Sequence, residues 1–185
     1  VVALDVSTGE EVWRTDRSGE MNDNPEMKKA YGTPLVTSVD GHDVLLSPGS
    51  DWLYGYDPET GKELWKVNYG ILGFSIVSRP VVADEVVYFS TSFMKTELLA
   101  VQLGPEVNST PEILWRYKRS VPRMPSPLII RDSVYLFSDK GIATCLDRAT
   151  GEPRWTGRLG GSFSSSPLFA DEKIYVGNRE GEMFV

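Results

Sequence analysis

Short apolar runs with alternating polar positions recur along the chain, broken by turns rich in Gly, Asp and Ser. DVLLS (43–47), VVYFS (86–90), SVYLFS (133–138) and KIYVGN (173–178) follow this alternation. A period of two places successive side chains on opposite faces of a β-strand. Each run is preceded by a proline signature: GTPLV (32–36), SRPVV (78–82), PSPLII (125–130) and SSPLF (165–169). Proline there falls at the head of a strand, where no ladder donor is lost. A third signature closes on tryptophan: ALDVSTGEEVW (3–13), GYDPETGKELW (55–65), AVQLGPEVNSTPEILW (100–115) and CLDRATGEPRW (145–155). The tryptophans are 52, 50 and 40 residues apart.

Three signatures in one fixed order define a unit of four short strands, A to D. Short antiparallel strands repeated at this period predict an all-β fold, a β-propeller of four-stranded antiparallel blades. The chain reads as one partial propeller over 1–185. Strands C and D of one blade occupy 1–17, and whole blades span 33–68, 79–118 and 126–158. Strands A to C of a further blade occupy 166–185. Residues 17–32 are an inserted loop with room for one short helix, capped by Asn24 with Pro25 at its first position. The C–D turn has its own chemistry. Asp5, Asp57 and Asp147 are placed to accept backbone N–H groups, while Gly9, Gly61 and Gly151 stand where a type I turn with a bulge needs positive φ. The copy at 100–115 keeps its flanks but replaces Asp-x-x-Thr-Gly with a longer loop. The seventeen strands so counted exceed the sixteen of a closed four-bladed ring, and the chain opens on VVALDV without an initiator Met. Both features predict an arc of about four blades cut from a larger ring.

Composition narrows the function classes. The 185 residues are 41% hydrophobic and 24% charged, so a packed core is expected. No apolar stretch is long enough to cross a bilayer as a helix. A net charge of −7 argues against nucleic acid or an anionic membrane as the main partner. A single cysteine excludes an intrachain disulfide and a thiolate zinc cage.

The three intact Asp-x-x-Thr-Gly-x-x-x-Trp copies resemble the tryptophan-docking motif of pyrroloquinoline-quinone (PQQ) repeat propellers, a family that takes in BamB-like envelope proteins and quinoprotein dehydrogenases. The resemblance implies a ring of seven or eight blades, with Trp13, Trp65, Trp115 and Trp155 packing between neighbours. It also implies a bacterial extracytoplasmic or periplasmic protein, anchored to a membrane, if at all, through a segment outside these residues. In the quinoprotein enzymes it implies PQQ beneath a disulfide of adjacent cysteines, with Ca²⁺ held by acidic and amide side chains. Here Cys145 stands alone, at the small-residue position matched by Ala3 and Gly55, where a buried inert thiol is expected. His42 lies in a polar turn without a nucleophile or second ligand nearby and reads as a solvated residue.

Variable loops collect on one face, where the D–A and B–C connections lie together, and loops on a rigid scaffold commonly carry function. Tyr31, Trp52, Tyr69, Phe74, Arg79, Phe93, Arg119 and Arg123, with Met94 and Met124, are the candidate recognition residues there. The alternative for the aromatics is that they seal the space between blades. Arg14, Lys66 and Arg116 follow docking tryptophans on strand D, where charge protects an exposed sheet edge. The leading reading is a non-catalytic scaffold without a cofactor, binding a protein or small ligand on the loop face and abutting the remaining blades of its own ring. The alternative is part of a PQQ-dependent alcohol dehydrogenase, using PQQ and Ca²⁺, whose catalytic blades lie elsewhere. A third is a sensor domain joined to a kinase or protease.

Overall fold

In the computed structural model, which describes residues 1–185, every alternating run forms an antiparallel strand. β1 (Val2–Leu4) and β2 (Glu11–Arg14) make a C–D hairpin. The second blade is β3 (Leu35–Val39), β4 (His42–Pro48), β5 (Trp52–Tyr56) and β6 (Glu63–Asn68), paired in that order. After the short β7 (Gly73–Phe74), the third blade comprises β8 (Val81–Ala83), β9 (Val86–Ser90), β11 (Leu98–Gln102) and β12 (Glu112–Tyr117). Between β9 and β11 lies β10 (Phe93–Met94), which pairs with β7 and not with its own blade. The fourth blade is β13 (Leu128–Ile130), β14 (Ser133–Phe137), β15 (Ile142–Asp147) and β16 (Pro153–Arg158). β17 (Leu168–Ala170), β18 (Lys173–Gly177) and β19 (Met183–Phe184) supply strands A to C of a fifth. The arrangement is a partial β-propeller.

Tight A–B turns hold β3 to β4, β8 to β9 and β17 to β18. Asp40 and Gly41 take φ of 50° and 72°, Asp84 and Glu85 of 48° and 61°, Asp171 and Glu172 of 48° and 53°. Two successive positive values give the primed turn whose twist matches a β-hairpin.

Alternation then builds the core between blades. On β9, Val87 and Phe89 join a cluster with Val44, Leu46, Leu53 and Trp65 of the second blade. Val86 and Tyr88, the intervening residues, join Val134, Leu136 and Leu146 of the fourth. β11 divides in the same way, Leu99 and Val101 to one side, Leu98 and Ala100 to the other. A central strand of a middle blade is therefore buried on both faces, and all five residues of β9 are buried. A smaller cluster of Phe137, Ala143, Phe163 and Val176 joins the fourth blade to the fifth.

The C–D turns form as their residues dictate. Asp5 Oδ1 accepts the N–H groups of Ser7 and Thr8, both at 2.8 Å, and Asp57 and Asp147 accept the equivalent pairs at 2.8–3.0 Å. Gly9, Gly61 and Gly151 have φ of 75°, 72° and 74°. Opposite each tryptophan stands a small residue, Ala3, Gly55, Ala100 or Cys145, and each pairing is followed by a register shift of the bulge type.

Tryptophan docking crosses from blade to blade. The Trp13 indole N–H donates to the Pro58 carbonyl at 2.9 Å, and Trp115 donates to the Arg148 carbonyl at 3.1 Å. Each therefore reaches the C–D turn of the next blade. Trp65 faces the divergent 100–115 copy, has no such acceptor, and is instead buried in one cluster with Leu103, against which Val107 packs. Trp155 is 48% exposed.

The inserted loop holds the one short helix expected of it. Asn24 caps as anticipated, its side chain accepting the Glu26 N–H at 3.0 Å, but Pro25–Lys28 form only one 3₁₀ turn. Lys29 is already extended (φ −70°, ψ 138°), and the Lys29 and Ile76 carbonyls accept N–H groups of Ser75 and Tyr31, both at 2.6 Å. Pairing with the next connection draws the chain out before a second helical turn can close.

Candidate functional site

Loops at the B–C and D–A ends of the blades enclose three depressions on one face. The first holds about 520 Å³ and lies under the inserted loop, among Met21, Met27, Asp51, Trp52 and Ile71. Trp52 does not stand free there. Its indole N–H donates to the Glu20 carbonyl at 2.9 Å, and Lys66 Nζ sits 5.5 Å from its ring centre. The loop thus uses Trp52 as an anchor. Asp51 is buried, and that burial raises its carboxyl above the ordinary range.

Tyr69 is a correction to the candidate set. It is 1% exposed, its ring meets Phe89 edge-on with centroids 5.6 Å apart, and its hydroxyl donates to the Gly49 carbonyl. Burial pushes its phenol far upward. The cause is the alternation of β6: Trp65 and Val67 point into the inter-blade core, and Tyr69 continues the same face.

The second depression, of about 470 Å³, gathers Tyr31, Phe74, Val77, Phe93, Arg123 and Met124. These residues come from three separate D–A connections and one B–C loop. The β7–β10 pairing, unforeseen from the sequence, brings Phe74 opposite Phe93, with their rings at 60° and centroids 5.2 Å apart. A two-residue strand has too little alternation to show in a sequence pattern. The Arg123 guanidinium lies 5.9 Å from the Phe93 ring centre, a cation–π geometry. Tyr31 is 63% exposed and Phe93 50%, so the depression opens through an apolar rim, while the exposed Met94 does not line it. Arg123 is held from behind, its backbone N–H donating to Asp139 Oδ2 at 2.8 Å and its carbonyl accepting from Ser92 Oγ at 3.1 Å.

Four of the eight residues singled out from sequence, Tyr31, Phe74, Phe93 and Arg123, are thus brought together. Arg79 lines a different hollow with Met124, Ser126 and Leu128, near the heads of the A strands. Arg119 is exposed and lies apart from these depressions. A third, wider depression shares the Arg123–Met124 wall, and sequence reasoning did not single out its cations Lys140, Arg158 and Arg179. They are far apart in sequence, so no local motif marks them.

The quinoprotein arrangement does not fit these residues. Cys145 is 2% exposed in mid-strand, facing Tyr135 across β14 and Trp155 across β16, with no second cysteine to join it. Asp5, Asp57 and Asp147, at the C–D turns, are committed to backbone N–H groups. On the strand D edge, Arg14 pairs with Glu11 at 2.6 Å and Lys66 with Glu63 at 3.1 Å. Arg116 also donates to the Tyr69 carbonyl at 2.8 Å, tying the third blade to the second.

Comparison with known proteins gives a consistent result. A PQQ-type family model described as "Outer membrane protein assembly factor BamB" matches residues 1–132 and 107–184. The chain is 33% identical over 124 residues to outer membrane protein assembly factor BamB of Shewanella oneidensis, covering 66% of this chain and 29% of that protein. It is 24% identical over 164 residues to the Yersinia pestis protein of the same name, covering 86% of this chain and 39% of the other. The chain therefore spans well under half the length of these relatives. Among solved structures it is similar to BamB from Moraxella catarrhalis, with a TM-score of 0.59 and 21% identity, over 80% of this chain and 44% of that one. It is equally similar in fold to the computationally designed Ika8 protein, TM-score 0.59 at 13% identity, over 97% of this chain and 50% of that one. A motif that recurs in register, a blade order that follows it and a family model matched along almost the whole chain agree: the chain belongs to the PQQ-repeat propeller family of outer membrane protein assembly factor BamB.

Proposed function

We propose that this chain forms part of a non-catalytic, BamB-type scaffold of the bacterial cell envelope, whose loop face binds a protein partner in outer membrane protein assembly. One observation carries the reading: Tyr31, Phe74, Val77, Phe93 and Met124 converge, with Arg123, into an open apolar depression on the face where the blade connections meet. Exposed aromatics, Met and Arg around an apolar floor are the residues that dominate protein interfaces. The half-exposed Trp155 and the unoccupied space over Gly9 further support continuation of the ring by additional blades on both sides. The protein works outside the cytoplasm and reaches the membrane through its partner or through an anchor beyond these residues.

The test uses the full-length protein in a strain lacking the native copy. Phe74→Ala/Phe93→Ala protein, expressed and folded to wild-type level, is expected to leave the outer membrane as permeable to large antibiotics as the null strain does. Full restoration of the barrier by this variant would overturn the assignment to the loop face. The dehydrogenase reading is tested separately by adding PQQ and Ca²⁺ to the purified full-length protein. No bound quinone absorbance is expected, and stoichiometric binding would overturn the non-catalytic reading.

A further inference from the structure

The third depression on the loop face holds about 940 Å³ and is lined by five cations: Lys118, Arg123, Lys140, Arg158 and Arg179. Lys118 and Arg123 come from the connection after β12, Lys140 from the β14–β15 turn, Arg158 from the end of β16 and Arg179 from the β18–β19 turn. Three blades thus contribute. Lys118 pairs with the buried Glu97 at 3.4 Å. Arg123, Lys140, Arg158 and Arg179 make no ion pair; elsewhere Arg14, Arg131, Arg148 and Arg154 each have a carboxylate partner, while Lys62, Arg79, Lys95 and Arg119 stand unpaired but scattered. Asp139 is the one acid lining the depression, and its Oδ2 is engaged by the Arg123 backbone N–H. Glu180, nearby, accepts the Ser162 N–H at 3.1 Å.

In a chain of net charge −7, four unneutralised cations around one concavity are a local reversal of sign. A cleft lined by one sign of charge focuses its field and draws in a ligand of the opposite sign. The cations are spread over three connections and the end of β16, so they suit charges distributed along an extended chain better than one compact phosphate. Ser120 and Ser162 lie among them, giving hydroxyls suited to a peptide backbone. At one end the cleft shares Arg123 and Met124 with the apolar depression, where Arg123 covers Phe93.

We propose that this cleft binds an acidic polypeptide segment of a partner protein, one that also places an aromatic or aliphatic side chain against Phe74 and Phe93. The inference rests on the loop face being a protein-recognition surface and adds the chemistry of the partner. The charged cleft sets the encounter and the register, while the apolar depression supplies the buried anchor.

The test is fluorescence anisotropy with purified full-length protein and a fluorescein-labelled Asp/Glu-rich peptide carrying one central Phe. The acidic peptide is expected to bind, its Asn/Gln analogue is not, and added salt is expected to weaken binding. Arg158→Glu/Arg179→Glu is expected to weaken binding by about tenfold or more. Both side chains are exposed and unpaired, so the thermal midpoint is expected to stay at the wild-type value. Milder Arg158→Gln/Arg179→Gln serves if the reversal variant fails to fold. Equal binding of both peptides, or wild-type affinity in the charge variants, would overturn the proposal. Binding to phosphatidylglycerol vesicles without binding to the peptide would overturn it in favour of a lipid surface. Salt-sensitive self-association abolished by the same variants, without peptide binding, would overturn it in favour of a second copy. If peptide binding fails while loop-face variants still lose membrane-barrier function, the charge reading falls and the loop-face reading stands.

Discussion

Gly61 and Gly9 occupy the same place in successive repeats, with φ of 72° and 75°, yet their surroundings differ. A Cβ on Gly61 would come within 2.4 Å of the Trp13 ring, whereas one on Gly9 would meet nothing within 4 Å. Gly61→Ala must bear both the left-handed conformation and the displaced indole, and should lower stability by about 2–4 kcal/mol. Gly9→Ala bears the first alone and should cost about 1–2 kcal/mol. Urea unfolding midpoints at unchanged m-value separate the two, and equal losses would contradict the docking geometry. Asp147 gives a pH signature. Arg154, at 2.7 Å, and the Thr150 and Ala149 N–H groups hold its carboxyl down to about 2. A carboxylate with a depressed folded-state pKa contributes stability above its unfolded value, and that contribution is lost as pH falls from about 4 through about 2. Asp147→Asn should therefore be less stable than wild type at pH 7, with the gap closing toward pH 2. A gap that does not change with pH would refute this. These turn residues were legible in the sequence because Asp, Thr and Gly at fixed spacing allow few backbone conformations. Tyr69 was not, because a tyrosine one step past a strand's last alternating residue has the same composition whether it faces solvent or a neighbouring blade.

At the scale of elements, strands and their order followed from alternation, but two kinds of contact did not. The β7–β10 pair joins loops of different blades through two residues each, too short for periodicity, and it creates the apolar depression. The curtailed 3₁₀ turn is the other, since pairing of Lys29–Tyr31 with Ser75–Ile76 overrides a local helix signal. Inter-blade docking offers the sharpest energetic test. Trp115 lies on Gly151 of the next blade and donates to the Arg148 carbonyl, so Trp115→Ala should cost about 3–5 kcal/mol. Trp155, half-exposed on the same strand position, should cost about 1 kcal/mol or less within these 185 residues. Calorimetric unfolding of the two variants measures the difference, and a Trp155→Ala loss equal to that of Trp115→Ala would contradict the blade-to-blade reading.

The whole molecule inherits its properties from the stacking of blades. Core clusters shrink from twelve buried residues between the second and third blades, to nine, to four between the fourth and fifth. Leu4 and Val12 on the first sheet, Leu168 on the last and Trp155 at the edge of the fourth leave apolar surface exposed. The isolated 1–185 chain should accordingly self-associate in light scattering, and a well-behaved monomer would count against a larger ring. Within the arc, the B–C and D–A connections form one face and the A–B and C–D turns the other, and the two differ in chemistry. Phe93, Tyr31 and Arg123 mark the first, His42, Asp57 and Glu59 the second. Site-specific photo-crosslinking in living cells compares them directly. With a photoreactive residue at Phe93 or Tyr31 of the full-length protein, crosslinks to an outer membrane protein assembly component are predicted, with none from His42 or Glu59. Crosslinks confined to the His42 and Glu59 face, or equal from both faces, would contradict the account.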